Sequence, residues 1–153
     1  MPELPEVEST RRHLLEALEG HRIDGVEVAR ARMLRRQPRS RDFADRSVGR
    51  RVVALDRRGK FMLWRLDGDL TTVVHLGMSG RIRLADPTEP RDAHTNVVWS
   101  VGGREVRLVD PRTFGFVACF TPEELDLALA GVGADALTGL PDTATLADLL
   151  ADR

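Results

Sequence analysis

Apolar residues fall along this chain in two rhythms. In the first twenty residues Leu14, Leu15 and Leu18 form a stripe at helical spacing, and Gly20 is a natural stop. Pro5 suits the first helical turn, and Glu6 and Glu8 suit the positive end of the helix dipole. From residue 22 the rhythm shortens. Alternating or wholly apolar runs predict strands near 22–31, 51–57, 60–66, 70–76, 80–85, 95–101, 104–109 and 114–120. Turn chemistry separates them at Asp67-Gly68-Asp69, Ser79-Gly80, Asp86-Pro87 and Gly102-Gly103. Residues 40–46 suit a short helix in the longest connection. Thr121-Pro122-Glu123-Glu124 reads as a capping-box start, and another helix is expected from near Thr143, still running at Arg153. The expected fold class is β-rich α+β. It is an eight-stranded antiparallel β-sandwich or flattened barrel, with an N-terminal helix and peripheral C-terminal helices.

Composition narrows the class. The 153 residues suit one domain with a real core, and the 42% hydrophobic and 31% charged content is ordinary for a globular protein. No apolar run approaches the ~18 residues of a membrane span. MPELPEVEST is acidic and lacks the apolar core of a secretory signal. Cys119 is the one cysteine, expected in the core, so neither an internal disulfide nor a cysteine-rich zinc site can be built from this chain alone. A reducing cytoplasm fits.

The net charge of −1 hides a segregation. Residues 21–60 carry twelve Arg and one Lys against five acids, whereas residues 121–153 carry one Arg against seven acids. A basic segment in a near-neutral protein is what a polyanion-binding face needs, although a solvated basic surface fits the charge alone equally well. Lys60 is the only Lys among 23 basic residues. Lys is a compact charge whose pKa responds to burial, so it can do proton chemistry that Arg cannot.

Met1-Pro2-Glu3 offers distinct chemistry. Removal of Met1 leaves proline with a free secondary amine. An α-amine titrates near ~8, so a useful fraction is neutral at physiological pH. A neutral secondary amine attacks an aldehyde-like carbon and gives a cationic iminium, which is an electron sink for elimination. Glu3 beside it can relay protons.

Four strings, in order and at matching spacing, carry a resemblance: MPELPEVE at the start, RRGK at 57–60, HLGMSG at 75–80 and DPRTFG at 110–115. Together they resemble the bacterial formamidopyrimidine-DNA glycosylase family, over residues 1 to about 140. The leucine of MPELPEVE points to the formamidopyrimidine branch; the endonuclease-eight-like branch usually has glycine there. The resemblance implies that Pro2 is the Schiff-base nucleophile at deoxyribose C1′ and Glu3 the general acid/base. Glu6 would lie in the pocket. Lys60 would contact phosphate near the lesion and take part in proton transfer during elimination. His75 and His94 would lie near the DNA backbone. Met78, Arg112 and Phe114 would fill the gap left by a flipped nucleotide, with Arg112 facing the orphaned base and Phe114 wedged between base pairs. Read without the resemblance, Met78 suits the core and Phe114 the first inward position of its strand. His75 suits a structural hydrogen bond as well as a phosphate contact.

The family continues into a helix–two-turn–helix domain and a zinc ribbon. The expected organisation is therefore a catalytic β-sandwich domain over 1–140, followed by 141–153 as the start of a linker or helix toward those parts. Zinc is expected only in that ribbon, and no cofactor is expected in this chain, which by itself would be inactive or weak. The implied function is base-excision repair. A bacterial, cytoplasmic and monomeric glycosylase/AP lyase would remove oxidised purines, formamidopyrimidine and 8-oxoguanine, from damaged double-stranded DNA. Two alternatives stay open: a catalytically silent paralogue that binds lesions or abasic sites, and an oxidised-pyrimidine glycosylase of the endonuclease-eight-like branch.

Overall fold

The fold was obtained as a computed structural model, which describes residues 4–58 and 60–132, with the backbone course alone for 4–7 and 130–132. Helix α1 spans Leu4–Leu18 and closes at Gly20, which has φ +82°. Strands β1 (Ile23–Val28), β2 (Val52–Arg58), β3 (Phe61–Leu66), β4 (Thr71–His75), β5 (Arg81–Ala85), β6 (Thr95–Val101), β7 (Arg104–Val109) and β8 (Phe116–Phe120) follow. One turn of 3-10 helix at Ala31–Leu34 and helix α2 (Arg41–Ser47) fill the connection between β1 and β2, and helix α3 (Pro122–Val132) follows β8.

The strands form two antiparallel four-stranded sheets, ordered β1-β6-β7-β5 and β2-β3-β4-β8. They pack as the expected sandwich. Strand alternation sorts the second sheet's residues into two cores. Met62, Trp64, Leu66, Val74 and Val117 face the first sheet, where they meet Val97, Trp99 and Leu108. Phe61, Leu63, Val73, Phe116, Ala118 and Phe120 face the other way, and Leu125 and Leu129 of α3 cover them. This two-sided burial explains why β3 reads FMLWRL, almost without polar interruption. Trp64 and Trp99 meet at the centre, 4.6 Å between ring centroids.

Two sequence expectations shift and a third holds. The strand expected over 22–31 stops at Val28, and Ala31–Leu34 turn inward to bury Met33 and Leu34. The strand expected from 114 starts at Phe116, leaving Arg112 to Gly115 as a loop. The start expected at Thr121 is present as a reciprocal cap. Thr121 N donates to Glu124 Oε1 at 3.1 Å, and Glu124 N donates to Thr121 Oγ1 at 3.3 Å. The helix expected from Thr143, and with it the 141–153 segment, lies outside the described residues.

The orientation of α1 is fixed by ions at its beginning. Glu8 accepts from Arg11 at 2.7 Å, from Arg12 at 3.1 Å and from Arg57 of β2 at 3.1 Å, while Arg11 also donates to Leu55 O at 3.0 Å. At the other end Gly20 N donates to Val52 O at 2.7 Å. The helix therefore lies along β2 and begins at the end of that strand which leads into Lys60. Arg11 first, then Arg57 and Arg12, hold the Glu8 carboxyl down at about 2 against the effect of burial.

Candidate nucleic-acid interface

The residues singled out by sequence collect on loops at one end of the sandwich. Lys60 ends the β2–β3 turn and sits next to Phe61, which is paired with His75 across β3 and β4. Met78 lies on the β4–β5 turn, His94 just before β6, and Arg112 and Phe114 on the β7–β8 loop. Pro2 and Glu3 lie outside the described residues. For Glu6 the backbone is in the first turns of α1 and the side chain lies outside the description.

Glycine brings the β4–β5 turn and the β7–β8 loop into contact. Gly77 has φ +64°, and a Cβ there would lie 2.5 Å from Gly115 N and 2.7 Å from Phe114 C. A Cβ on Gly115 would in turn strike the His75 carbonyl. Only hydrogen fits between these two backbones, which is the physical meaning of the glycines in HLGMSG and DPRTFG. The contact thrusts the neighbouring side chains outward. Met78 is 51% exposed and Phe114 is 46% exposed, so neither is a core residue, and Phe114 is not the inward start of its strand.

A basic segment that the motifs do not include holds the loop. Arg35 donates to Thr113 O at 3.2 Å and to Phe114 O at 2.9 Å, and Arg32 donates to Thr113 Oγ1 at 3.1 Å. Thr113 lies between them with φ +53°, a conformation that a β-branched residue rarely adopts. Arg36 lies over the Phe116 ring at 5.3 Å. These arginines belong to the run ARMLRR, within the basic segment 21–60, and lie outside the four motif strings. Burial, together with Arg32 and Arg36, lowers the proton affinity of Arg35, as expected where positive charge is concentrated.

His75 is packed rather than displayed. Its ring stacks on Phe116 at 5.5 Å and lies 4.8 Å from Phe61. Nδ1 accepts from Gly77 N at 3.2 Å, so a neutral ring carries its proton on Nε2. Burial first, then Lys60, Arg36 and Arg35, push its pKa down to about 4. It is a neutral donor at physiological pH. His94 is exposed, with its backbone N bound to Asp92 Oδ1 at 2.8 Å. Cys119 is buried, as expected, and burial raises its thiol pKa.

Among the described residues, no group of three or more His, Cys, Asp or Glu is placed to hold a metal ion. No described helix is long and apolar enough to cross a membrane.

Known proteins share both sequence and shape with this chain. The sequence profile of the formamidopyrimidine-DNA glycosylase N-terminal domain matches residues 1–117. Formamidopyrimidine-DNA glycosylase of Acidothermus cellulolyticus is 47% identical over 118 residues, 75% of this chain and 42% of that protein. The Geobacillus kaustophilus enzyme of the same name is 39% identical over 151 residues, 97% of this chain and 55% of that protein. The solved complex between Lactococcus lactis Fpg and DNA containing an abasic site superposes with a TM-score of 0.77 at 26% identity, covering 85% of this chain and 48% of that one. MutM in complex with DNA containing carbocyclic 8-oxo-G gives a TM-score of 0.78 at 27% identity, covering 85% and 49%. The chain thus spans about half the length of the relatives it matches. With the profile, the identities and the two-sheet fold in agreement, the chain belongs to the formamidopyrimidine-DNA glycosylase family, over that family's N-terminal domain.

Proposed function

We propose that this chain is the catalytic half of a base-excision-repair glycosylase with AP lyase activity, acting on oxidised purines in duplex DNA. The observation that carries the reading is the loop end of the sandwich. Two large apolar side chains, Met78 and Phe114, stand exposed on touching loops beside Arg32, Arg35, Arg36 and Lys60. Exposed apolar groups among cations suit a polyanion whose bases must be unstacked. Met78 and Phe114 would occupy the space left by the extruded nucleotide, and Arg112 would face the orphaned base. Lys60, His94 and the neutral Nε2–H of His75 would bind phosphate.

In the proposed chemistry the Pro2 nitrogen attacks C1′ of the damaged nucleotide as a neutral secondary amine. The C1′–N bond to the base breaks and the base leaves with a proton; the nitrogen lone pair then expels O4′, which takes up a proton as the sugar ring opens, and a cationic iminium remains. Loss of a C2′ proton then expels the 3′ phosphate, and a second elimination expels the 5′ phosphate. Glu3 would move protons at the sugar, Glu6 would line the pocket, and Lys60 would assist elimination while bound to phosphate. The support for these roles is the family motifs, together with α1 starting at the strand end that leads into Lys60.

The protein would work as a monomer in the bacterial cytoplasm. Zinc would belong to the family's C-terminal ribbon, since the residues here do not fit such a site: Cys119 is alone and buried. Borohydride trapping on duplexes containing an abasic site, formamidopyrimidine or 8-oxoguanine tests the reading. A covalent adduct is expected, abolished by an N-terminal extension ahead of Pro2. An adduct that survives the extension would remove Pro2 as nucleophile. Preference for oxidised pyrimidines would move the chain to the endonuclease-eight-like branch.

A further inference from the structure

Asp110 directly follows β7 and is 1% exposed, in a region otherwise dominated by cations. Both carboxylate oxygens are used. Oδ1 accepts from Ser79 Oγ at 2.8 Å, and Oδ2 accepts from Gly115 N at 3.1 Å. Its backbone is used as well: N donates to His94 O at 3.0 Å, and O accepts from Asn96 Nδ2 at 2.8 Å. Three of these four partners are, or adjoin in sequence, a residue proposed to meet DNA. Ser79 adjoins Met78, Gly115 adjoins Phe114, and His94 is itself such a residue.

A local turn cap would need only the bond to Gly115, within the same loop. The bond to Ser79 reaches 31 residues back to a different turn, and the bond to His94 reaches the start of a different strand. The Gly77–Gly115 backbone contact and the arginine clamp on Thr113 and Phe114 hold the same two loops from other sides. A side chain that must enter a base stack works best when its geometry is set before binding, because ordering it on the DNA would cost conformational entropy.

We propose that Asp110 is a positioning residue whose carboxylate locks the Met78 turn and the Arg112–Phe114 loop into one preassembled wedge, beside a His94 segment that its backbone already holds. The proposal rests on the DNA-binding reading for its purpose, but the coupling itself is a property of the free protein. A side-chain carboxylate is suited to the task because it accepts from two directions at once, and charge-assisted bonds are about twice as strong as neutral ones. Asparagine preserves the geometry. Its Oδ1 can accept from Gly115 while its amide donates to the Ser79 hydroxyl, which is donor and acceptor alike.

Amide hydrogen exchange of the 153-residue chain without DNA tests the coupling. Asp110→Ala is expected to speed exchange about tenfold or more in both 76–80 and 112–116, leaving β3 and β6 protected. Asp110→Asn should stay within about threefold of the parent chain, and Ser79→Ala should loosen 76–80 alone. Loosening of one loop only by Asp110→Ala, or an Asp110→Asn variant as loose as the alanine, overturns the proposal. If Asp110→Ala does not fold, Ser79→Ala decides: no change at 76–80 overturns it. A second arm measures the preference for a duplex with a tetrahydrofuran abasic analogue over an intact one. Asp110→Ala should lower that preference about tenfold, with no further loss when added to Phe114→Ala, whereas additive losses overturn the proposal. If the parent chain, about half the length of its relatives, shows no preference at all, the exchange arm alone judges the coupling.

Discussion

Phe114 leaves nearly half of its surface in water, although full burial of such a side chain is worth roughly 1.5–3 kcal/mol. The fold does not gain that stability, so the side chain's value must lie elsewhere. Phe114→Ala should therefore cost less than about 1 kcal/mol of folding stability in a urea titration. It should also remove most of the preference for a duplex with an abasic site. His75 gives the opposite case, a polar residue drawn inward between Phe61 and Phe116. Its pKa of about 4 lies below the ordinary 6.5. The unfolded chain binds a proton between those values and the folded chain does not. Stability is thus unaffected by His75 above pH 6.5 and is lost as pH falls toward 4. The loss should reach about 2 kcal/mol between pH 7 and pH 5, and urea midpoints should show His75→Gln abolishing most of that slope.

At the scale of elements, two devices hold the loop end and one edge. Strand β8 is the edge of its sheet, yet Cys119 is buried there and its backbone needs partners. Gln37 supplies them as a side-chain substitute for a strand: Nε2 donates to Cys119 O at 3.0 Å, and Oε1 accepts from Cys119 N at 2.6 Å. Arg46 also donates to Cys119 O, at 2.9 Å, so Gln37→Ala orphans the N–H alone. The expected cost is about 1–3 kcal/mol by denaturant titration, with the fold retained. Gly115→Ala should cost more, upwards of about 2 kcal/mol, because its Cβ meets backbone that cannot move without separating the loops. Near-wild-type stability for that variant would contradict the close approach described for Gly77 and Gly115.

Across the whole molecule, the basic segment is put to two uses. Arg32, Arg35, Arg36 and Lys60 lie close enough to act on His75 or on one another, whereas Arg46 of the same segment is paired with Glu124 at the start of α3. Three or more phosphate contacts would make DNA affinity fall by about fortyfold or more between 50 and 200 mM salt. Affinity that is flat across this range, measured by fluorescence anisotropy, would argue against a phosphate-binding face. Not every arginine serves that face. Arg107 is 1% exposed, bonded to Glu105 and to the carbonyls of Asp86, Glu89 and Pro90, where it anchors the β5–β6 connection that leads to His94.

The chain's own order of residues was enough to specify the strands, the capping box at Thr121 and the motif residues. These depend on period-2 alternation, local turn chemistry and short strings, all of which are local in sequence. It did not separate Arg107, buried as an anchor, from Arg35, which clamps a loop at the surface, because both are arginines near apolar residues. Nor did it distinguish an exposed Met78 from a core methionine. Those outcomes depend on what comes from elsewhere in the chain to cover a side chain or leave it bare. The contact between Gly77 and Gly115, and the meeting of three segments at Asp110, exist only once two sheets are packed. Tertiary structure alone decided them, because they are backbone approaches and hydrogen bonds between positions far apart in sequence.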